Sequence, residues 1–217
     1  MAGGLAKSLT IALPRGRILG DTLGLLHKMG FDCQPLVDDS RKLVLSFPER
    51  QVRFLLLRGS DIPTYVEYGA ADMGIAGKDV LLEQQKDVYE PLDLQFGVCR
   101  LVVAQPQERQ RVDRPFSWSN LKVATTFPRL TEAHFNRKGL QVEIIYLGGA
   151  VELAPIVGLS DLIVDLVQTG RTLRDNGLVE VEEILRSSAR LVVNRASQKT
   201  KYEPIMQLIH QMRMSLA

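Results

Sequence analysis

Cysteine, histidine and long apolar runs are scarce in this chain, and each shortage excludes a class of protein. The two cysteines, Cys33 and Cys99, have no metal-binding spacing and form no disulfide framework, which fits a reducing compartment. All three histidines (His27, His134, His210) fall in predicted helices, where a structural or solvated role is the simpler interpretation. Zinc chemistry and a Ser/His/Asp mechanism therefore have little support.

No segment offers the roughly 20 apolar residues that a membrane-spanning helix needs. The first residues contain only a short apolar run, too short for the core of a signal peptide. We therefore expect a cytoplasmic protein without a membrane partner. The net charge of +2 is too mild to indicate nucleic-acid binding, although anionic small molecules remain compatible with it.

The 217 residues are 45% hydrophobic and 24% charged, as in ordinary globular proteins. This length suits either one large domain or two small lobes. Predicted strands and helices alternate along the chain, which indicates an α/β fold with mostly parallel strands. The predicted strands are Leu9 to Leu13, Leu43 to Phe47, Val52 to Leu57, Leu94 to Ala104, Leu121 to Thr125, Val142 to Leu147, Leu162 to Val167 and Arg190 to Asn194, and the stretch from Ala70 to Gln84 is predicted to form a further strand, a glycine break and a helix. The predicted helices include Ile62 to Tyr68, Leu130 to Lys138, Val151 to Leu159 and Tyr202 to Met214, and a polar loop is predicted from Gln105 to Ser119.

Two segments, Gly69 to Gly77 and Gly158 to Leu166, each run from a glycine to an aspartate and then into a strand. This internal similarity has few identities, but it favours two lobes of related topology with a ligand cleft between them. We expect the first lobe to comprise residues 1–98 with 190–217, and the second to comprise residues 99–189.

The segment from Asp161 to Leu178 contains the most informative motif. Its strand carries Asp165 near the carboxyl end, where ligands bind in open α/β sheets. Thr169, Gly170 and Thr172 follow, and they supply hydroxyls and backbone N–H groups ahead of a helix. An ordinary strand, turn and helix cap would have a similar sequence. The preceding acid instead favours a sugar 5′-phosphate held by the loop and ribose hydroxyls held by Asp165.

Arginines and glycines also follow other strands. Arg15 and Arg17 flank Gly16 after the first strand, and Arg58 ends another, so either ligand phosphates or solvent could be their partners. For Arg58, a salt bridge with Asp61 or Glu67 is the alternative. The stretch from Gly74 to Asp79 has two glycines against which a flat base could lie, or which only form a tight turn.

Glycines 148 and 149 precede a helix whose first turn carries Glu152. This glutamate could reach ribose hydroxyls or a magnesium-bound water, or could simply suit the helix dipole. Another junction, from Ala124 to Phe135, contributes hydroxyls and Arg129. Loops of this kind at many strand ends favour two polyanionic ligands.

The loop resembles the phosphoribosyl-pyrophosphate signature of phosphoribosyltransferases, in which two acids precede a Thr-Gly-x-Thr loop. Val164 stands where the first acid would be, which argues against a purine-salvage enzyme. Six motifs in order resemble the ATP phosphoribosyltransferase family over almost the whole chain: LTIALPRGRI, LLRGSDIPTYVEYGAADMGIAGKDVL, YEPLDLQFGVCRLVV, GGAVELAPIVGLSD, DLVQTGRTLRDNGL and SSARLVVNRAS.

The resemblance implies a two-lobed fold like type II periplasmic binding proteins, with the active site in the cleft. It also implies an enzyme of the first step of histidine biosynthesis, in which adenine N1 of ATP attacks phosphoribosyl pyrophosphate with Mg²⁺ assistance and pyrophosphate leaves. The catalytic residues would be Asp165, Glu152 and Arg17. The phosphoribosyl group would be bound by Asp165, Thr169, Gly170, Arg171, Thr172 and Leu173, and ATP by Arg15, Arg17, Arg58, Gly77 and Asp79. The direct metal ligands are not identified.

The family often has lysine at two positions where this chain has Arg15 and Thr126. Either Lys122 or Arg129 could replace the charge missing at Thr126. The chain ends soon after the helix Tyr202 to Met214, which resembles the family's short form. That form implies a homodimeric building block and a hetero-oligomer with a regulatory subunit resembling histidyl-tRNA synthetase. Two alternatives stay open here, a non-catalytic two-lobed small-molecule sensor and a base-salvage phosphoribosyltransferase.

Overall fold

A computed structural model of the chain describes residues 8–33, 42–108 and 121–216. The chain divides into two compact units, unit 1 (Met1–Gly97 with Ser188–Ala217) and unit 2 (Val98–Ser187). The strands are β1 (Leu9–Arg15), β2 (Val44–Phe47), β3 (Val52–Arg58), β4 (Met73–Gly77), β5 (Tyr89–Asp93), β6 (Cys99–Pro106), β7 (Leu121–Thr125), β8 (Val142–Tyr146), β9 (Leu162–Val167), β10 (Leu178–Ser187) and β11 (Ala189–Val193). The helices are α1 (Leu19–Lys28), α2 (Ile62–Glu67), α3 (Lys78–Gln84), α4 (Pro128–Arg137), α5 (Leu153–Ile156), α6 (Arg171–Asp175), α7 (Arg195–Thr200) and α8 (Tyr202–Leu216). Short 3₁₀ turns lie at Pro48–Arg50 and Gly59–Asp61.

Unit 1 contains a six-stranded sheet in the order β2-β3-β1-β4-β11-β5. Strands β3, β1 and β4 run parallel at its centre, so their carboxyl ends lie along one edge. Leu9 to Pro14 and all of β4 are buried, as expected for central strands covered on both faces. Helices α1 and α8 contact each other and contribute to the main core of this unit.

Unit 2 contains a five-stranded sheet in the order β10-β6-β9-β7-β8. Strands β9, β7 and β8 are parallel to one another, whereas β6 runs antiparallel to both β9 and β10. Apolar side chains on its two faces form separate core clusters, one containing Val102, Ile163 and Leu173, the other Leu101, Val123 and Val164. Because β7, β8 and β9 are parallel, the loops after Thr125, Tyr146 and Val167 begin at one edge of this sheet.

The predicted two-lobed α/β architecture is confirmed, but the sheets are mixed rather than mostly parallel. Strand β6 follows β5, and β11 follows β10, without an intervening helix. Each of these two connections joins strands of different sheets, and neither supplies the crossover that parallel neighbours need. Alternation along the sequence therefore reveals the fold class but not the direction of these strands.

Several predicted boundaries differ from the structure. The strand expected from Leu94 to Ala104 is Cys99–Pro106, since Gln95 and Gly97 adopt left-handed backbone angles that end regular pairing. The helix expected from Val151 to Leu159 covers only Leu153–Ile156. Strand β10 was not predicted, because its glutamates obscure the alternation of an edge strand. Most of the predicted polar loop, residues 109–119, lies outside the described residues.

Candidate active site

Asp165 is half-buried in β9, which places a carboxylate close to the ligand-binding edge of the unit 2 sheet. Burial raises the pKa of Asp165 to about 6, against a hydrogen bond from the Leu166 N–H to its Oδ1 (2.8 Å) that lowers it. The negative charge of Glu152 raises the pKa further. The structure thus brings together the two acids that the sequence analysis predicted as catalytic residues.

The phosphate loop, Thr169–Thr172, begins two residues after Val167, the last residue of the same strand. Gly170 has a φ of +72°, which a residue with a side chain rarely adopts. The Thr169 hydroxyl accepts a hydrogen bond from the Arg171 N–H at 3.4 Å, and the side chains of Thr169, Arg171 and Thr172 are exposed. Leu173 is buried in the core instead, so it can offer a ligand only its backbone.

Val164 and Thr126 are two of the positions at which this chain departs from the family pattern. Val164 is fully buried between apolar neighbours, a position that would strongly disfavour an ionised acid. Thr126 directly follows β7, whereas Lys122 lies near the amino end of that strand and faces Glu143, 3.8 Å from its Nζ. Lys122 therefore does not replace a positive charge at Thr126. Arg129 lies in the first turn of α4, on the loop side, and remains the candidate.

Sequence reasoning missed the role of Thr125 in shaping the loop that contains Thr126. The Thr125 hydroxyl donates to the Val164 carbonyl (2.7 Å) and accepts from the Phe127 N–H (2.9 Å). Thr125 is fully buried, so these bonds fasten the end of β7 to β9. A hydroxyl residue as the last residue of an apolar strand was the available signal.

In unit 1, Arg15 and Arg58 end neighbouring parallel strands and are directly opposite in register. Adjacent strands lie about 5 Å apart. Both side chains are exposed, so two positive charges lie at the same edge of this sheet, where an anionic ligand would be favoured. Within the described ranges Arg58 forms no ion pair with Asp61 or Glu67, and Glu67 instead pairs with Lys86 at 2.9 Å.

Gly77 and Asp79 lie at the end of β4 and in the first turn of α3. A Cβ added at Gly77 would approach Asp79 Oδ1 to 2.3 Å, so the carboxylate packs directly against this glycine. Asp79 is buried at 3% exposure. A side chain at position 77 would therefore collide with the Asp79 carboxylate, whether or not a flat ligand binds there.

Arg17 makes a structural contact with a residue 80 positions away, which the sequence did not predict. Its Nη1 donates to the Gly97 carbonyl at 2.6 Å. Gly97 has a φ of +62°, and a Cβ there would lie 2.3 Å from Ile18. Arg17 thus supports the segment that precedes β6, in addition to any contact with a ligand.

A cavity of about 650 Å³ in unit 1 lies elsewhere, between Leu9, Phe31, Arg50 and Leu208. It is at the amino end of β1, opposite to Arg15. Ligands of open α/β sheets bind at the carboxyl ends. We therefore place the active site at the carboxyl ends of β1 and β3, where Arg15 and Arg58 lie, and not in this cavity.

No group of three or more His, Cys, Asp or Glu side chains that could hold a metal ion occurs in the part of the chain described by the structure. Magnesium commonly binds one or two carboxylates together with substrate phosphates and water. Asp165 and Glu152 supply that number of acids, so the donor set fits an ion carried by a diphosphate substrate. The described helices also include none long and apolar enough to cross a membrane.

Comparison with solved structures defines the class of protein first. The chain resembles the alkanesulfonate-binding protein SsuA from Xanthomonas axonopodis pv. citri (TM-score 0.59, 12% identity, 96% of this chain and 73% of the other). It also resembles the periplasmic aliphatic sulphonate binding protein SsuA from Escherichia coli (TM-score 0.61, 15% identity, 97% of this chain and 69% of the other). These likenesses show only the fold, which is that of the periplasmic-binding-protein-like α/β class.

The family follows from much closer relatives. The model of the family HisG, ATP phosphoribosyltransferase, matches residues 58–214. The ATP phosphoribosyltransferase of Syntrophotalea carbinolica is 56% identical over 98% of this chain and 97% of its own length. The ATP phosphoribosyl transferase (HisG:HisZ) complex from Thermotoga maritima contains a chain with 34% identity and a TM-score of 0.82, covering 96% of this chain and 98% of that one. The chain belongs to the ATP phosphoribosyltransferase family.

This membership confirms the predicted enzyme class, a transferase acting on ATP and phosphoribosyl pyrophosphate in the first step of histidine biosynthesis. Enzymes of this type generally use a divalent metal. The sensor and base-salvage alternatives are not favoured by the comparisons.

Proposed function

We propose that unit 2 binds phosphoribosyl pyrophosphate and that unit 1 binds ATP. The observation that carries the first assignment is the half-buried Asp165, with Glu152 near it, followed by the exposed hydroxyls of the phosphate loop. The loop would hold the 5′-phosphate through the hydroxyls of Thr169 and Thr172 and the N–H groups of Gly170, Arg171 and Leu173. Asp165 would accept hydrogen bonds from the ribose hydroxyls.

The ATP assignment rests on the edge formed by β1, β3 and β4. Arg15 and Arg58 would bind phosphates, and a guanidinium fork suits such oxygens. Gly77 exposes no side chain, so an adenine ring could lie against its backbone with Asp79 beside it. Arg17 would contribute positive charge next to the same phosphates while keeping its bond to Gly97.

No enzyme nucleophile is needed for this reaction. Adenine N1 forms the new bond to the anomeric carbon, and the bond to the diphosphate oxygen breaks with its electron pair leaving on pyrophosphate. The residues of the chain align the two ligands and match charge that develops as the bond breaks. The carboxylates of Asp165 and Glu152 would stabilise positive charge on the ribose.

We also propose Mg²⁺ as the divalent metal, held chiefly by the donor's diphosphate. When bound, it supplies positive charge to the leaving diphosphate oxygens. Glu152 would reach the ion through one of its water ligands, as its position near Asp165 allows.

We propose that the chain assembles from homodimers into a hetero-oligomer with a regulatory subunit that resembles histidyl-tRNA synthetase. The Thermotoga maritima relative, which covers nearly the same length, occurs in a HisG:HisZ complex, and this likeness supports the proposal. We propose that the enzyme acts in the cytoplasm, a reducing compartment in which the free cysteines Cys33 and Cys99 would stay reduced.

The activity is tested by mixing the purified chain with ATP, phosphoribosyl pyrophosphate and Mg²⁺, with and without such a subunit. We expect N1-phosphoribosyl-ATP and pyrophosphate by mass spectrometry. In the same assay Asp165→Asn should lower product formation, and Asp161→Asn is its matched control, since Asp161 lies just before the opposite end of β9 and accepts from the Lys122 N–H at 2.9 Å. Absence of product from the folded chain in both mixtures, or product only when free bases replace ATP, would refute the proposal.

A further inference from the structure

At the centre of the phosphate loop lies Gly170, a residue type whose backbone has little conformational preference of its own. Gly170 adopts a left-handed φ of +72°, and glycine populates positive and negative φ about equally. Groups around it must therefore keep the loop in place. A Cβ added at Gly170 would lie 2.9 Å from Arg174 Nη1 and 3.2 Å from Glu180 Oε1. These charged ends fill the space beside the glycine.

Glu180 reaches the loop from β10, two strands away from β9 in the sheet order. It is held there by Arg100 of β6 through two hydrogen bonds, Nη1 to Oε2 at 2.7 Å and Nη2 to Oε1 at 3.0 Å. Arg100 in turn is paired in register with Val167, the last residue of β9, two positions before Thr169. The ion pair therefore links the neighbouring strands to the loop at its central glycine.

The hydrogen bonds within the loop itself are long. Among the described residues, the Arg171 N–H donates to the Thr169 hydroxyl at 3.4 Å and the Arg174 N–H donates to the Gly170 carbonyl at 3.2 Å, and α6 has only five residues. Charge also matters, because a bare carboxylate next to the loop would repel an incoming phosphate. The bidentate bond from Arg100 neutralises Glu180, so that Glu180 can pack against Gly170 without this cost.

We propose that Arg100 and Glu180 are positioning residues for the donor's 5′-phosphate, with Arg100 acting through Glu180 and Glu180 acting through Gly170. This inference rests on the proposed function of the loop. It adds residues from two strands that neither the sequence motif nor the comparisons assign to the site.

The test compares Glu180→Ala and Glu180→Gln by calorimetry with ribose 5-phosphate and by steady-state kinetics. Loss of the packed carboxylate should raise the ribose 5-phosphate Kd and the donor KM about tenfold in Glu180→Ala, with kcat changed less than about threefold. The KM for ATP should stay unchanged. Glu180→Gln keeps the shape and one acceptor oxygen for Arg100, so it should restore most of the affinity.

Glu183 provides the matched control, because its Oε2 is also near Arg100 (3.6 Å) but it is not among the nearest atoms to Gly170. Glu183→Ala should bind ribose 5-phosphate like the wild type. Arg100→Gln should weaken binding, and Arg100→Gln with Glu180→Ala should be no weaker than Glu180→Ala alone, since coupled residues are not additive.

Wild-type affinity in Glu180→Ala, or an equal loss in Glu183→Ala or for ATP, would overturn the positioning role while leaving the transferase function intact. A wild-type chain that binds ribose 5-phosphate but forms no product would contradict the proposed function alone. A wild-type chain that does not bind ribose 5-phosphate would overturn both. Thermal unfolding of each variant confirms that the protein measured is folded.

Discussion

Glu152 and Asp165 belong to different loops and strands of unit 2, yet the charge of Glu152 raises the pKa of Asp165. Two acids that repel each other in the free protein would be relieved by a cationic or hydroxyl-bearing ligand. Such shifts concentrate at functional sites. The pair therefore gives the site a measurable pH dependence.

We predict that kcat/KM for the sugar donor decreases about tenfold per pH unit below the Asp165 pKa, because protonation removes the acceptor for the ribose hydroxyls. This pKa is about 6. Glu152→Gln removes the neighbouring negative charge and should move the break to lower pH. Profiles of kcat/KM from pH 5 to 9 test both points. A break that stays in place in Glu152→Gln would show that the two charges are not coupled.

We predict that Asp165→Asn stabilises the free protein at pH 8 while lowering kcat/KM tenfold or more. The raised folded pKa means that ionisation destabilises the fold as pH rises from about 4 to above 6, so the cost is complete at pH 8. Asparagine avoids this cost, on the order of 2 kcal/mol in unfolding free energy. Urea unfolding at pH 8 and pH 4 measures it. A gain of equal size at pH 4 would contradict the electrostatic explanation.

We predict that Arg58→Ala weakens ATP binding more than donor binding, by about tenfold to a hundredfold for a lost charged hydrogen bond. Arg17→Ala should lower kcat/KM by a similar factor. Arg53→Ala is the control for Arg58, because Arg53 is exposed near the amino end of the same strand and its Nη2 donates to the Thr10 hydroxyl at 3.0 Å. Calorimetry with each ligand separates the effects, and equal losses for ATP and the donor would place Arg58 elsewhere.

We predict that Gly77→Ala disrupts ATP binding through Asp79. The added Cβ would lie 2.3 Å from Asp79 Oδ1, although the backbone angle at Gly77 (φ −68°) suits any residue. The carboxylate must therefore move, at about 1–3 kcal/mol of unfolding free energy. The double variant Gly77→Ala with Asp79→Ala should recover stability but not ATP binding. If Asp79→Ala adds its full cost on top of Gly77→Ala, the clash is not the cause.

Much of the molecule could be predicted because its signals are local. The apolar strands, the glycine after Val167 and the arginines after β1 and β3 mark a ligand-binding α/β fold through patterns of a few residues. The six ordered motifs then indicated the family. Strands β5 and β10 were missed, since their charged and proline-interrupted sequences obscure strand periodicity.

By itself, the sequence determined the fold class, the family and the identity of the loops that carry the site residues. Only the tertiary structure decided that Arg15 and Arg58 end in register, that Glu152 acts on Asp165, and that Arg100 and Glu180 support Gly170. The physical reason is that strand and loop propensities depend on neighbours in the chain. Register, burial and charge coupling depend instead on residues that folding alone brings together.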